Sequence, residues 1–148
     1  MIDVFDIEKA QSDFLMQNGF FVVARESAEG AQKSSCSINV FPASSERISG
    51  CMVQDVFAVE LSYYPAVETQ EELIKAADRL RKILLTKPLR ILDREQQEER
   101  VLQCCLVEFS TEKGVLYANF EHSLHQRFPD AEEEELPFTE EDLDFEFI

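Results

Sequence analysis

Apolar and polar positions alternate from Cys51 to Tyr64. The alternation puts Val53, Phe57, Val59, Leu61 and Tyr63 on one face, with Asp55 as its single polar member. A period of two is that of a strand with one buried face, so the pattern predicts a β-strand over 51–64. Cys36 to Phe41 repeats the period with Cys36, Ile38 and Val40 aligned. The Ser-rich stretch from Pro42 to Gly50 between them reads as a long polar turn, and the whole as a hairpin. On this reading Asp55 is either a buried acid on the apolar face, or sits at an edge or pairs with a base such as Arg47 across the hairpin.

After Tyr64-Pro65 the period changes. Leu73, Ala76, Ala77, Leu80, Ile83 and Leu84 recur at helical spacing. Thr69 and Glu72 form the signature of a reciprocal capping box, and Lys87-Pro88 closes the segment. An earlier stretch, Asp6 to Asn18, predicts a weaker helix with Phe5, Ala10, Phe14 and Leu15 on one side, stopped by Asn18-Gly19. Phe20–Ala24 reads as a short buried strand or connector, and Glu26–Lys33 as a loop. Leu89–Leu92 reads as a short strand, and Asp93–Arg100 as an exposed charged connection. Val101–Phe109 is nearly all apolar and predicts a central strand buried on both faces. Thr111-Glu112-Lys113-Gly114 is a hairpin turn with a positive-φ glycine. Val115–Leu124 returns as a strand with Leu116, Ala118 and Phe120 on one face. The predicted class is α+β: a single mixed or antiparallel sheet packed against one main helix and a short N-terminal helix.

The organisation this implies is one domain over 1–128 and an acidic tail over 129–148. The chain has 148 residues and a formal net charge of −16. Ten of its acids and none of its bases fall between Asp130 and Ile148, leaving 20 acids against 14 bases elsewhere, a net charge of −6. Leu136, Phe138, Leu143, Phe145, Phe147 and Ile148 are interspersed with those acids, a composition unlike a purely solvating tail. So acidic a surface disfavours direct nucleic-acid binding. No apolar run approaches the roughly 20 residues of a membrane span. The first residues are acidic where a signal peptide would be basic, which predicts a chain made and kept in the cytoplasm.

The chemistry-bearing residues are sparse. Four cysteines, Cys36, Cys51, Cys104 and Cys105, have no zinc spacing and read as small buried hydrophobes. His122 and His125 read as polar residues at a partly exposed strand end, on opposite faces. There is no phosphate loop, nucleophile elbow or HExxH, so no catalytic, cofactor or metal residue is expected. Tyr63 and Tyr64 read either as strand aromatics packing on the following helix or as a contact surface. The Ser44-Ser45-Glu46-Arg47 loop reads either as an ordinary connection or as an assembly loop.

Three stretches in order carry a resemblance: Ile38-Asn39-Val40-Phe41-Pro42-Ala43-Ser44-Ser45-Glu46; Phe57-Ala58-Val59-Glu60-Leu61-Ser62-Tyr63-Tyr64-Pro65 with Ala76-Ala77-Asp78-Arg79-Leu80 beyond it; and Gly114-Val115-Leu116-Tyr117-Ala118-Asn119-Phe120-Glu121. Over residues 35 to 125 the chain resembles the tail terminator, or tail completion, family of Gram-positive phages and phage-like tail particles. The resemblance implies a non-enzymatic structural subunit, without cofactor, that self-associates into a ring, usually a hexamer. Such a ring caps the tail tube and then meets sheath or neck proteins. It also implies a prophage or phage product, present in the bacterial cytoplasm during assembly and then in the tail. Expected assembly contacts are Ser44, Ser45, Glu46, Arg47, Tyr63 and Tyr64, and Phe138, Leu143, Phe145 and Phe147 in the tail. The competing reading is an acidic prophage-encoded binding or inhibitory module acting through its C-terminal tail.

Overall fold

The computed structural model describes residues 1–24 and 33–128. The first helix, α1, spans Val4–Gln17 and starts earlier than its weak apolar pattern suggests. A reciprocal cap fixes that start: the Asp3 carboxylate accepts from Asp6 N–H at 2.9 Å, and Asp6 accepts from Asp3 N–H at 3.0 Å. The two bonds satisfy helix donors that would otherwise have only water. The buried side of α1 is Ile7, Gln11, Phe14 and Leu15. Phe5, expected on that side, is 76% exposed. The Phe20–Ala24 stretch is a connector whose Val22 makes a parallel bridge with Cys36.

Strands β1 (Ser35–Ser49) and β2 (Met52–Tyr64) form a long antiparallel hairpin. The predicted polar turn from Pro42 to Gly50 is therefore mostly strand, and only Gly50 and Cys51 turn the chain. It is polar because β1 is the sheet's edge and is exposed from Phe41 to Ser49. Pairing with β2, not burial, holds it extended. Pro42 is tolerated where an edge strand needs no outward donor, and the register slips between Pro42 and Ser44.

Helix α2 (Gln70–Thr86) buries Leu73, Ala76, Leu80 and Leu84. Thr69 accepts from Glu72 N–H at 3.2 Å as expected, but the Thr69 N–H bonds to Val67 O instead of to the Glu72 side chain. Next come β3 (Leu89–Asp93) and β4 (Glu98–Leu102), a separate two-stranded ladder. Of the expected exposed connection from Asp93 to Arg100, only 94–97 turn the chain; Asp93 ends β3 and 98–100 begin β4. The chain turns at 103–106, and β5 (Val107–Glu112) and β6 (Val115–Arg127) complete the main sheet in the order β1-β2-β6-β5. The predicted doubly buried central strand over 101–109 is thus two strands in two ladders. Neither is doubly buried: β4 buries only Leu102 and leaves Val101 52% exposed, β5 half-buries Val107 and Phe109, and Leu106 between the strands is 66% exposed. Lys113 and Gly114 close the last hairpin with φ of 50° and 79°, the mirror-image turn that matches strand twist.

Both ladders are antiparallel and the class is α+β. The core lies where Phe57, Val59 and Leu61 of β2 and Leu116, Ala118 and Phe120 of β6 meet the apolar faces of the two helices and β3. Each of the larger of these side chains, the Val, Leu and Phe, contributes about 1.5–3 kcal/mol of burial. Tyr63 belongs to this core, 5% exposed and edge-on to Phe20 at 6.3 Å.

Candidate functional site

No cluster of three His, Cys, Asp or Glu side chains able to hold a metal occurs among the described residues. No helix among them is long and apolar enough to cross a membrane. What the fold presents is a set of surfaces, each built by a particular strand or helix.

The first is the outer half of β1. Ser44, Ser45, Glu46 and Arg47 all lie there, exposed, beside Phe41 and Ile48, which are each 48% exposed. The sequence pattern did not single out those two apolar residues. Across from this half, β2 turns Val53 and Asp55 inward. Asp55 stands opposite Ser45, not Arg47. It accepts hydrogen bonds from Ser45 Oγ at 2.5 Å and Gln126 Nε2 at 2.7 Å.

Gln126 in turn holds the N-terminal segment. Its Oε1 accepts from Ile2 N–H at 2.6 Å and its Nε2 donates to Ile2 O at 2.8 Å. The Met1 ammonium then reaches Asp93 at 2.9 Å and Glu95 at 2.7 Å. Burial opposes the Met1 charge, but the bonds to Glu95 and Asp93 outweigh it and raise its pKa. Burial likewise opposes ionisation of Asp93, and the ammonium outweighs it, lowering the carboxyl pKa. Asp55, Gln126 and Asp93 are each under 5% exposed, so this chain of polar contacts fixes the start of α1 against both ladders.

His122 was expected at an exposed strand end. It is buried and 3.1 Å from Gln11 Oε1, while His125 is exposed on the other face. An amide oxygen can only accept, so the His122 Nε2 carries the proton. Its Nδ1 has no hydrogen-bond partner. Burial pushes the imidazole pKa down to about 4. Of the cysteines, Cys36 and Cys104 are buried as expected. Cys51 is half-buried and Cys105 is exposed on the 103–106 turn, contrary to the reading of all four as buried.

Two grooves differ in charge. One, of about 610 Å³ on the outer face of the main sheet, carries Glu60, Glu108 and Glu121 with Phe41 and Leu106, and no Lys or Arg. The other, of about 780 Å³ between α1 and β3, carries Lys9, Lys87, Arg90 and Arg94 around Phe14 and Ile91.

Residues 12–134 match the family described as phage tail terminator protein. The chain belongs to the phage tail terminator family. The match reaches beyond the 35–125 stretch that carries the resemblance and takes in the last part of α1, from residue 12. No curated protein matches the chain. Family membership makes this terminator a structural phage tail protein that interacts with other tail components. Of the expected contacts, the terminator exposes Ser44, Ser45, Glu46 and Arg47 on one edge strand. Tyr64 is half-buried at the far end of β2 and Tyr63 is inside the core. Phe138, Leu143, Phe145 and Phe147 lie outside the described residues.

Proposed function

We propose that this chain is the non-enzymatic subunit of a closed ring, a hexamer, that caps the tail tube and connects it to the neck. The family match over residues 12–134 carries this reading. The sheet supplies a physical route to it. Its order leaves β1 at one edge and β5 at the other, and among the described residues neither is covered by a further full strand. Two different edges on opposite sides of one subunit suit a heterologous contact repeated until it closes.

On this reading the outer half of β1, with Ser44 to Arg47 and the exposed Phe41 and Ile48, meets the next copy. A soluble monomer ordinarily protects such an edge, and the Pro42 irregularity limits open-ended pairing. Tyr64 and, beyond Phe138 in the tail, Leu143, Phe145 and Phe147 are the further contacts offered to tube, sheath or neck proteins. The test is native mass across concentration, with electron microscopy of the protein alone and with tail tubes. Six-fold rings, free or on tube ends, support the reading. Monomers that neither associate nor bind tube ends overturn it.

A further inference from the structure

We propose that the groove between α1 and β3 is the docking site for the acidic, aromatic C-terminal segment of the same chain, with Glu132–Phe138 lying along it. Three observations converge. The first is charge. The groove gathers Lys9, Lys87, Arg90 and Arg94 against only Asp6 and Asp13, in a chain with a net charge of −16. Asp6 is already committed to the helix cap. Arg90 is paired with Glu99 at 2.7 Å and Lys87 donates to the neutral Asn18 Oδ1 at 2.6 Å, so Lys9, Lys87 and Arg94 are the groove cations that keep their charge for a ligand. The segment beyond residue 129 holds ten acids and no base. The other large groove carries three glutamates and no base, so it repels the same segment.

The second is apolar fit. Phe14, Leu89 and Ile91 are buried side chains that still line the groove, and Leu92 beside them is 55% exposed. The segment offers Leu136 and Phe138 directly after four consecutive glutamates. Basic rim and apolar floor thus face an acidic stretch followed by apolar residues, the pairing that lets charges stay solvated while rings are buried.

The third is placement. Phe128 is tied to the turn just before β2 by its N–H to Cys51 O at 2.9 Å. Two residues earlier, Gln126 is bonded to Ile2, and Met1 to Asp93, the neighbour of Arg94 in the groove. The segment therefore starts next to the groove end formed by Asp6 and Arg94. From Asp6 to Asn18 the helix rises about 18 Å, which about six extended residues span. Glu132–Phe138 matches that length. A tether this short gives the chain's own segment an effective concentration in the millimolar range, ahead of any second copy.

The proposal is independent of whether the chain forms a ring. Its test is carbodiimide coupling of lysines to carboxylates in the full-length protein, using an equal mixture of normal and ¹⁵N-labelled chains, with mass-spectrometric mapping. Couplings from Lys9 or Lys87 to acids of 132–146 within one isotopic species are expected. Those from Lys87, which the variant retains, should fall at least fivefold in the Lys9→Glu/Arg94→Glu variant, whose circular dichroism should match wild type. In parallel, Glu-specific proteolysis of the segment should run about tenfold faster in that variant. Couplings only between differently labelled chains would assign the groove to another copy's segment. Couplings only to lysines outside the groove, or equal proteolysis rates, would overturn the site itself. Native mass on the same samples reports ring formation separately, so failure of one reading is distinguishable from failure of the other.

Discussion

Gln126 bridges Ile2 and Asp55, closing the N–H and C=O of Ile2 with one amide while donating to the Asp55 carboxylate at 2.7 Å. The side chain acts as a short length of extra backbone that pairs the N-terminal segment to β6. Replacing Gln126 by Leu leaves a buried carboxylate and the polar groups of Ile2 without this partner. Such losses cost about 1–3 kcal/mol per group. Gln126→Leu should therefore lower stability by about 3 kcal/mol in urea denaturation, with an unchanged m-value. Asp55→Asn, which keeps an acceptor, should cost less.

The buried His122 ties stability to pH. Its folded pKa of about 4 lies below the ordinary 6.5, so below pH 6.5 the unfolded chain binds a proton that the folded chain refuses. Stability therefore falls as pH drops from 6.5 and stops falling from this cause near pH 4. At pH 4.5 the loss amounts to about 2–3 kcal/mol. The His122→Gln variant should lose that much less between pH 7 and 4.5 than wild type does. Parallel stability profiles for the two proteins would show that His122 does not titrate in this way.

The exposed half of β1 gives an assembly prediction. Phe41→Glu or Ile48→Lys adds a charge to an edge strand already exposed to water, a change that seldom moves stability beyond about 0.5 kcal/mol. Both should nonetheless shift native mass toward the monomer, as charged edges do when they block strand addition. Thermal melting at equal concentration checks the first half and mass photometry the second.

Thiol labelling reports the burial of the cysteines. Cys105 is exposed and should react first with an aromatic disulfide reagent. Cys36 is buried, and burial pushes its thiol up to about 12, with Arg79 only partly offsetting this. Burial also raises the Cys104 thiol. The thiolate is the reacting species, so these two should label only at the rate of unfolding. Rapid labelling of all four in native buffer would contradict the packing described here.

The period-two face of β2, the helical face of α2, the capping Thr69 and the Gly114 turn were legible because each is a local pattern reporting a half-buried element. The order of the elements also carried the family resemblance, which the match over 12–134 bears out. The strand from Pro42 to Ser49 was not legible. Its side chains are exposed and so carry no alternation, and what keeps it extended is a backbone ladder to β2 that leaves no mark on composition. The run from Val101 to Phe109 misled for the opposite reason. Unbroken apolarity reads as one buried strand, whereas two strands, neither doubly buried, with a turn between them give the same letters.

The sequence by itself determined the class, the acidic balance, the absence of familiar catalytic motifs and the positions of the main strands and α2, because these depend on spacing along one chain. Only the tertiary structure decided that Asp55 faces Ser45 and Gln126 rather than Arg47, that His122 is sealed against Gln11, and that Lys9, Lys87, Arg90 and Arg94 gather on one groove. Those groupings join residues as many as 111 positions apart. Which distant residues meet follows from how the strands register and where the helices pack, and no local pattern records it.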